Sequence, residues 1–166
     1  MVKKVIYPGT FDPVTVGHMD IIRRASEMFE TVVVAVSVSR DKTPLFSLGE
    51  RLEMMEQVTE PFSNVTVKGF SSLLVEFAKE EEARVIIRGL RAVSDFEYEL
   101  QVGYANQSLD PSIETIYLMP SLDHAFVSSS VVRSILRHDG RVDHLVPKSV
   151  QSLLARRVGE KQLGDV

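Results

Sequence analysis

The run Thr31-Val32-Val33-Val34-Ala35-Val36-Ser37-Val38 does most to narrow what this chain can become. Its β-branched side chains are stiff at χ1 and crowd a helix. It has no polar alternation, so neither face is prepared for water, and a strand of this kind is covered on both sides as in a parallel sheet. Further β-rich runs lie at residues 2–6, 65–70, 84–89 and 113–119. Between them the periodicity changes to that of helices. Within residues 19–29, Ile21, Ile22, Ala25, Met28 and Phe29 fall on one helical stripe. Ser47-Leu48-Gly49-Glu50 reads as a capping box that opens a helix carrying Leu52, Met55 and Val58. A third helix starts over 73–78 with Leu73, Leu74 and Phe77 apolar, and 79–82 (Lys-Glu-Glu-Glu) reads as its solvated end. Ser94-Asp95-Phe96-Glu97 reads as a second capping box, opening a helix to about Leu109. Ser128-Ser129-Ser130 caps a helix with Val131, Val132, Ile135 and Leu136, and Pro147 sits in the first turn of a last one with Val150, Leu153 and Leu154. The order βαβαβαβαβαα predicts an α/β fold: a doubly wound, Rossmann-like, five-stranded parallel sheet with right-handed crossovers.

With 166 residues, one domain over 1–158 is expected, followed by a polar tail, 159–166, that frays. No repeat, linker or low-complexity segment interrupts it. No apolar run is long enough to cross a membrane, and no apolar segment precedes Pro8, so neither a span nor a signal peptide is expected. The absence of cysteine excludes disulfides and thiolate metal sites; it does not fix a compartment, and a cytoplasmic protein is the default. The net charge of −4 makes a poor nucleic-acid binder. A small anion can still be bound if the positive groups gather in one cleft. Both the G-x-G-x-x-G fingerprint and the Walker A loop are missing, which removes the usual support for a dehydrogenase or a P-loop kinase.

The residues 7–18, Tyr-Pro-Gly-Thr-Phe-Asp-Pro-Val-Thr-Val-Gly-His, read as a loop between the first strand and first helix. In parallel α/β folds this is where phosphate-bearing ligands sit, because helix-start N–H groups are free and glycine admits close backbone approach. His18 shares its face with Ile21 and Ile22 and so points toward the carboxyl ends of the strands. The other reading is a packing histidine bonded to a carbonyl. Other polar groups fall at strand ends too: Lys42 after the second, Arg88 and Arg91 after the fourth, Ser128 to Ser130 after the fifth. Arg88 closes the apolar Val85-Ile86-Ile87 and needs a partner or an anion. Simpler readings stand beside these: a turn threonine at Thr10, a surface lysine at Lys42, an Arg91–Asp95 ion pair, a solvated carboxylate at Glu99 and a serine-rich N-cap. His138 and His144 have no zinc spacing.

Gly9-Thr10-Phe11-Asp12-Pro13 followed by Thr15-Val16-Gly17-His18 resembles the signature of the TxGH/HxGH nucleotidylyltransferases, which move a nucleoside monophosphate from an NTP to an acceptor phosphate. Residues 87–99, Ile-Arg-Gly-Leu-Arg-Ala-Val-Ser-Asp-Phe-Glu-Tyr-Glu, are similar to a run that marks the bacterial phosphopantetheine adenylyltransferase family within that superfamily. Val127-Ser128-Ser129-Ser130-Val131-Val132-Arg133 resembles the family's serine motif, and the likeness spans roughly residues 2–157. It implies reversible transfer of an adenylyl group from ATP to phosphopantetheine, giving dephospho-coenzyme A and pyrophosphate, the penultimate step of coenzyme A synthesis. It further implies magnesium carried in with the nucleotide, since no Asp/Glu cage is evident, coenzyme A as a feedback ligand, and a homohexamer.

The resemblance also assigns roles. His18, Lys42 and Arg91 would be catalytic. Thr10, Lys42, Leu74 and Arg88 would hold the acceptor. Thr10, Phe11, His18, Gly89, Leu90, Arg91, Glu99, His124, Ala125, Phe126, Val127, Ser128, Ser129 and Ser130 would border ATP, with Arg133 one turn into the serine helix. Two positions depart from the family's habit: Val16 where asparagine is often found, and His124 where some relatives carry a bulky aromatic, which affects the adenine contact. The chemistry suits the residue types. An acceptor phosphate has a second pKa of about 6 and needs no general base. The work is to bring two polyanions together and to stabilise charge on the α-phosphate, which calls for Lys, Arg, His and backbone N–H groups. Two rivals remain: another adenylyl- or cytidylyltransferase of the superfamily, and a nucleotide-binding sensor without turnover.

Overall fold

The computed structural model describes residues 3–38, 44–91 and 93–164, excluding the side chains of 93–94 and 158–164. In chain order the elements are β1 (Lys4–Gly9), α1 (Val16–Met28), β2 (Thr31–Ser37), α2 (Leu48–Thr59), β3 (Val65–Phe70), α3 (Leu74–Glu80), β4 (Val85–Gly89), α4 (Val93–Leu109) and β5 (Glu114–Leu118). A 3₁₀ turn (Leu122–His124), α5 (Ser129–Leu136) and α6 (Lys148–Gly164) follow. The strands form one parallel sheet ordered β3-β2-β1-β4-β5. The chain winds outward from β1 in one direction and then returns to start again from β4, so the switch point lies between β1 and β4.

The β-branched run is buried from Val32 to Val36. Val32, Val34 and Val36 join Val5, Val85 and Ile87 against Ile21 and Ile22 of α1, Met54 and Met55 of α2, Val132 of α5 and Val150 of α6. Val33 and Ala35 join Ile6 and Ile86 on the other face, against Val75, Phe77 and Ala78 of α3. Each fully buried valine or isoleucine stabilises by about 1.5–3 kcal/mol, which is why this period-two sorting sets the register.

Several boundaries differ from the sequence reading. β1 extends through Tyr7-Pro8-Gly9, which the sequence places in the loop. Proline cannot donate to a ladder, and the β1–β4 pairing stops at Ile6↔Ile86 while β1–β2 continues to Gly9↔Val36. β1 and β4 therefore part at the switch point, and a crevice opens. Glu81 is not solvated: it is 9 % exposed and takes Lys68 at 2.7 Å and Lys4 at 3.5 Å. Ser94 lies inside α4 and not at its N-cap. α6 continues past Gly159 to Gly164.

Candidate active site

The crevice is a cleft of about 400 Å³, within the usual range for small-molecule sites. It takes in the ends of β1, β2, β3 and β4 and the starts of α1, α3 and α5.

The β1–α1 loop makes one wall. Phe11 is held in the left-handed region, at φ 51°, a conformation that non-glycine residues enter at some cost. Its ring is 2 % exposed and packs edge-on between Tyr7, 5.6 Å between centroids, and His18, 5.0 Å. Gly9 is required by that ring, since a Cβ there would lie 2.7 Å from Phe11 Cζ. Thr15 is the N-cap of α1 and His18 its third residue. The Thr15 N–H donates to His18 Nδ1 at 3.0 Å, and the His18 N–H donates to Thr15 Oγ1 at 3.4 Å. A nitrogen that accepts from an amide carries no proton, so the remaining proton of the neutral ring sits on Nε2. His18 lines the cleft, as its place on the Ile21/Ile22 face predicts; its bonded partner is an amide and not a carbonyl. Burial, and then the charge of Arg91, lower its pKa to about 4, so the ring is a neutral Nε2–H donor at ordinary pH.

Behind this loop lies a layer that sequence reasoning missed. Asp12, 1 % exposed, accepts the N–H groups of Leu45 (2.9 Å) and Phe46 (2.8 Å). Arg51, also 1 % exposed, donates to the carbonyls of Thr10 (2.6 Å), Ser37 (2.8 Å) and Phe46 (3.2 Å). Together they tie the loop to β2 and to the entry of α2. A signal for Arg51 was present: it shares the i, i+4, i+7 stripe with Met55 and Val58, where a cation must have a purpose. The predicted capping box of Ser47 and Glu50 that starts this helix is present.

The second wall comes from α5. Ser128 is its N-cap and accepts from the Val131 N–H at 3.1 Å, while the Ser129 hydroxyl donates to the Pro13 carbonyl at 2.8 Å. The simple N-cap reading therefore holds for Ser128. The first helical N–H groups, those of Ser129 and Ser130, have no partner within a helix and border the cleft. Arg133 donates to the Asp12 carbonyl at 2.7 Å and to Ser130 Oγ at 3.3 Å. Two helix N-termini, those of α1 and α5, thus meet in one cleft, an arrangement suited to anions.

The third wall is the end of β4 with α4. Arg88 donates from Nε and Nη2 to the two carboxylate oxygens of Glu99 at 2.7 and 2.6 Å, and from Nη1 to the Pro8 carbonyl at 3.4 Å. Of the five guanidinium N–H groups, one on each terminal nitrogen is left for an oxyanion. Burial opposes the charge on Arg88, but Glu99 raises its pKa overall. Glu99 is thus a bound partner and not the solvated carboxylate of the simpler reading. Arg91 pairs with Asp95 at 3.2 Å, as its i+4 spacing allows, and still borders the cleft.

Among the predicted residues, Thr10, Phe11, His18, Leu74, Arg88, Gly89, Arg91, Glu99, His124, Val127, Ser128, Ser129 and Ser130 line this cleft. Leu90, Ala125 and Phe126 do not: the Leu90 N–H is spent on the Leu118 carbonyl, the Ala125 N–H reaches back to Leu122, and Phe126 is 62 % exposed. Lys42 lies outside the described residues. Thr10 is exposed, and no hydrogen bond of its hydroxyl occurs within the described protein, so the self-bonded turn threonine is not what forms. Tyr7, Ser37, Phe70 and Pro120 line the cleft without having been singled out.

A doubly wound parallel sheet whose switch-point crevice gathers a neutral histidine donor, two helix N-termini and three arginines suits a nucleotidyltransferase, and a model of the cytidylyltransferase-like family matches residues 6–135. A crystal structure from Vibrio parahaemolyticus, given as a candidate nicotinate-nucleotide adenylyltransferase, shares the fold at TM-score 0.68 and 17 % identity, covering 93 % of this chain and 99 % of that one. Much closer in sequence are proteins named phosphopantetheine adenylyltransferase. That of Nautilia profundicola is 60 % identical over 150 residues, 90 % of this chain and 97 % of its own. That of Wolinella succinogenes is 59 % identical over 157 residues, 95 % and 98 % of the two chains. That of Helicobacter hepaticus is 60 % identical and covers 90 % of each. The chain belongs to the cytidylyltransferase-like family, among its phosphopantetheine adenylyltransferases.

Proposed function

We propose that this chain transfers an adenylyl group from ATP to phosphopantetheine, releasing pyrophosphate and forming dephospho-coenzyme A, and that it runs the reaction in either direction. The observation that carries the site reading is the locked His18 tautomer: Nδ1 is occupied by the Thr15 amide and Nε2–H is left to the cleft. An oxygen of the acceptor phosphate attacks the α-phosphorus, and the bond from that phosphorus to the oxygen of the β-phosphate breaks. No proton has to be removed from the acceptor. His18 donates to a non-bridging α-phosphate oxygen as charge gathers there, and the free N–H groups of α5 receive the β- and γ-phosphates. Arg91 adds positive charge on the nucleotide side, and Thr10 and Leu74 border the acceptor. Arg88, oriented by Glu99, takes the acceptor phosphate on its two remaining N–H groups; Lys42 joins it.

Magnesium would be carried by ATP, where it would supply charge neutralisation to the phosphates, with the Ser129 and Ser130 amides and the arginines of the cleft holding the complex. The cleft's donor set suits a nucleotide that brings its own cation, since it offers hydroxyls, amides and cations to the phosphates. A hexamer belongs to the same proposal. Its support is α4, whose apolar residues surround the helix and leave Phe96, Tyr98, Tyr104 and Leu109 between 44 % and 65 % exposed. Among the described residues no helix is long and apolar enough to cross a membrane. A cytoplasmic site of action and feedback by coenzyme A complete the proposal.

The test is pyrophosphate release from ATP and Mg²⁺ with phosphopantetheine, beside nicotinamide mononucleotide and glycerol phosphate. Release with phosphopantetheine alone, with dephospho-coenzyme A identified by mass, is expected. Release with another acceptor would keep the mechanism and discard the substrate. ATP binding with no release for any acceptor would leave a sensor.

A further inference from the structure

We propose that Tyr117 is a positioning residue for the Arg88–Glu99 pair, and that Gly103 is the gap in α4 through which it acts. The inference rests on the reading of Arg88 as the acceptor's anchor. Tyr117 is the Cα partner of Arg88 in the β4–β5 ladder. Its hydroxyl crosses to α4 and donates to the backbone carbonyl of Glu99 at 2.9 Å. The same glutamate holds Arg88 through both carboxylate oxygens. One tyrosine thus fixes the helix to the sheet at the residue whose side chain orients the arginine.

Gly103 stands one turn beyond Glu99, within the span of α4. A glycine inside a helix is less favourable than alanine, so its presence needs a reason. A Cβ at this position would lie 2.5 Å from the Tyr117 hydroxyl oxygen, closer than any tolerated contact. Alanine at 103 would therefore push the Tyr117 hydroxyl out of the position from which it donates to Glu99. The Glu99 carbonyl can serve both the helix amide and the phenol, since an oxygen has two lone pairs. Burial raises the Tyr117 pKa, in keeping with a hydroxyl that stays a donor.

If the pin is lost, the start of α4 is free to drift from the end of β4. Glu99 then ceases to fix the guanidinium, and the two N–H groups left for a phosphate lose their aim. ATP, received mainly on the α1 and α5 sides with Arg91 as its group on this wall, is affected less.

The experiment uses steady-state kinetics and calorimetric binding of phosphopantetheine and of ATP on the full chain. Tyr117→Phe is expected to raise KM and Kd for phosphopantetheine about five- to tenfold, the worth of roughly one hydrogen bond, with kcat and the ATP KM within about twofold. Gly103→Ala gives the same signature, by expelling the hydroxyl. The double variant Tyr117→Phe/Gly103→Ala is no worse than Tyr117→Phe alone, because phenylalanine has no oxygen for the new methyl to meet. A purely structural role would lower Tm and move both substrates' constants equally. That result, an unchanged phosphopantetheine KM in Tyr117→Phe, or additive losses in the double variant would overturn the inference while leaving the function intact. A wild-type protein inactive with phosphopantetheine would overturn the functional reading, and this one with it.

Discussion

His18 and Arg88 face one cleft from opposite sides of the switch point, but they are held there by different means. His18 is fixed by its own neighbourhood: the Thr15 cap three residues back and the Phe11 ring seven back, at 3.0 and 5.0 Å. Arg88 is fixed by Glu99 on a separate helix, which Tyr117 on a third element holds in turn. The first wall is set once α1 starts. The second depends on α4 docking on the sheet. On the proposed roles, the group that would meet developing charge sits on the local device, and the group that would select an acceptor on the one assembled from distant parts. Damage to the His18 wall should therefore appear in turnover and damage to the Arg88 wall in acceptor affinity.

The largest expected effect is at His18. In His18→Ala, kcat should fall about 10²- to 10³-fold, the usual loss for one preorganised donor at a charged transition state, with both KM values little changed. The lost cap contact should lower Tm only slightly. Near-normal turnover would remove the transition-state role and with it the first half of the comparison.

Next comes the other wall. Arg88→Lys replaces a fork with a point charge that cannot hold two carboxylate oxygens and a phosphate together. The phosphopantetheine KM should rise about ten- to a hundredfold, while the ATP KM stays within a few-fold. An equal rise in both would mean that Arg88 serves the nucleotide and that the walls are not divided by substrate.

The same division explains what could be read from the sequence. β3 is found at the residues predicted, Val65–Phe70, and the box at Ser47 and Glu50 forms as read, because caps and strand periodicity are local. The gathering of Thr10, His18, Arg88, Arg91 and the serines was legible because strand ends converge in any doubly wound sheet. The Arg88–Glu99 pair was not: both residues stood out separately, but nothing in their spacing says that a strand end and a helix will meet. Glu81 misled for a related reason. It looks like a solvated helix end, and only the packing of α3 brings Lys4 and Lys68 to it. Tyr7 to Gly9 misled because a proline within a run argues against a strand, whereas here it marks where pairing with β4 ends.

A smaller effect tests the layer behind the His18 wall. Asp12→Asn puts an NH₂ group against one of two amides that now donate to a carboxylate, and takes the charge away from Arg133, 3.8 Å distant. Unfolding in urea should show a loss of about 1–3 kcal/mol, with kcat reduced several-fold as the Thr10–Phe11 turn loosens. Unchanged stability would mean that the wall is supported by the cap alone.

The smallest effect concerns protons, and it separates the enzyme's groups from the substrate's. An ordinary histidine titrates at 6.5; burial first, and Arg91 second, bring His18 to about 4. The unfolded chain therefore binds a proton as pH falls through 6.5, and the folded chain does not until about 4. Stability from this group is present above 6.5 and is lost progressively down to about 4, by at most a few kcal/mol. Activity should show a first decline near pH 6, where the acceptor phosphate gains a proton, and a separate one near 4, where His18 does. Ring NMR of His18 should place its midpoint near 4, and Arg91→Gln should move it upward by removing the nearby positive charge. A midpoint at 6.5 in the wild type would mean that the ring is charged through half the working range. The neutral Nε2–H donor would then give way to an imidazolium, Nδ1 could no longer accept from Thr15, and the wall that is local in sequence would not be fixed by its cap after all.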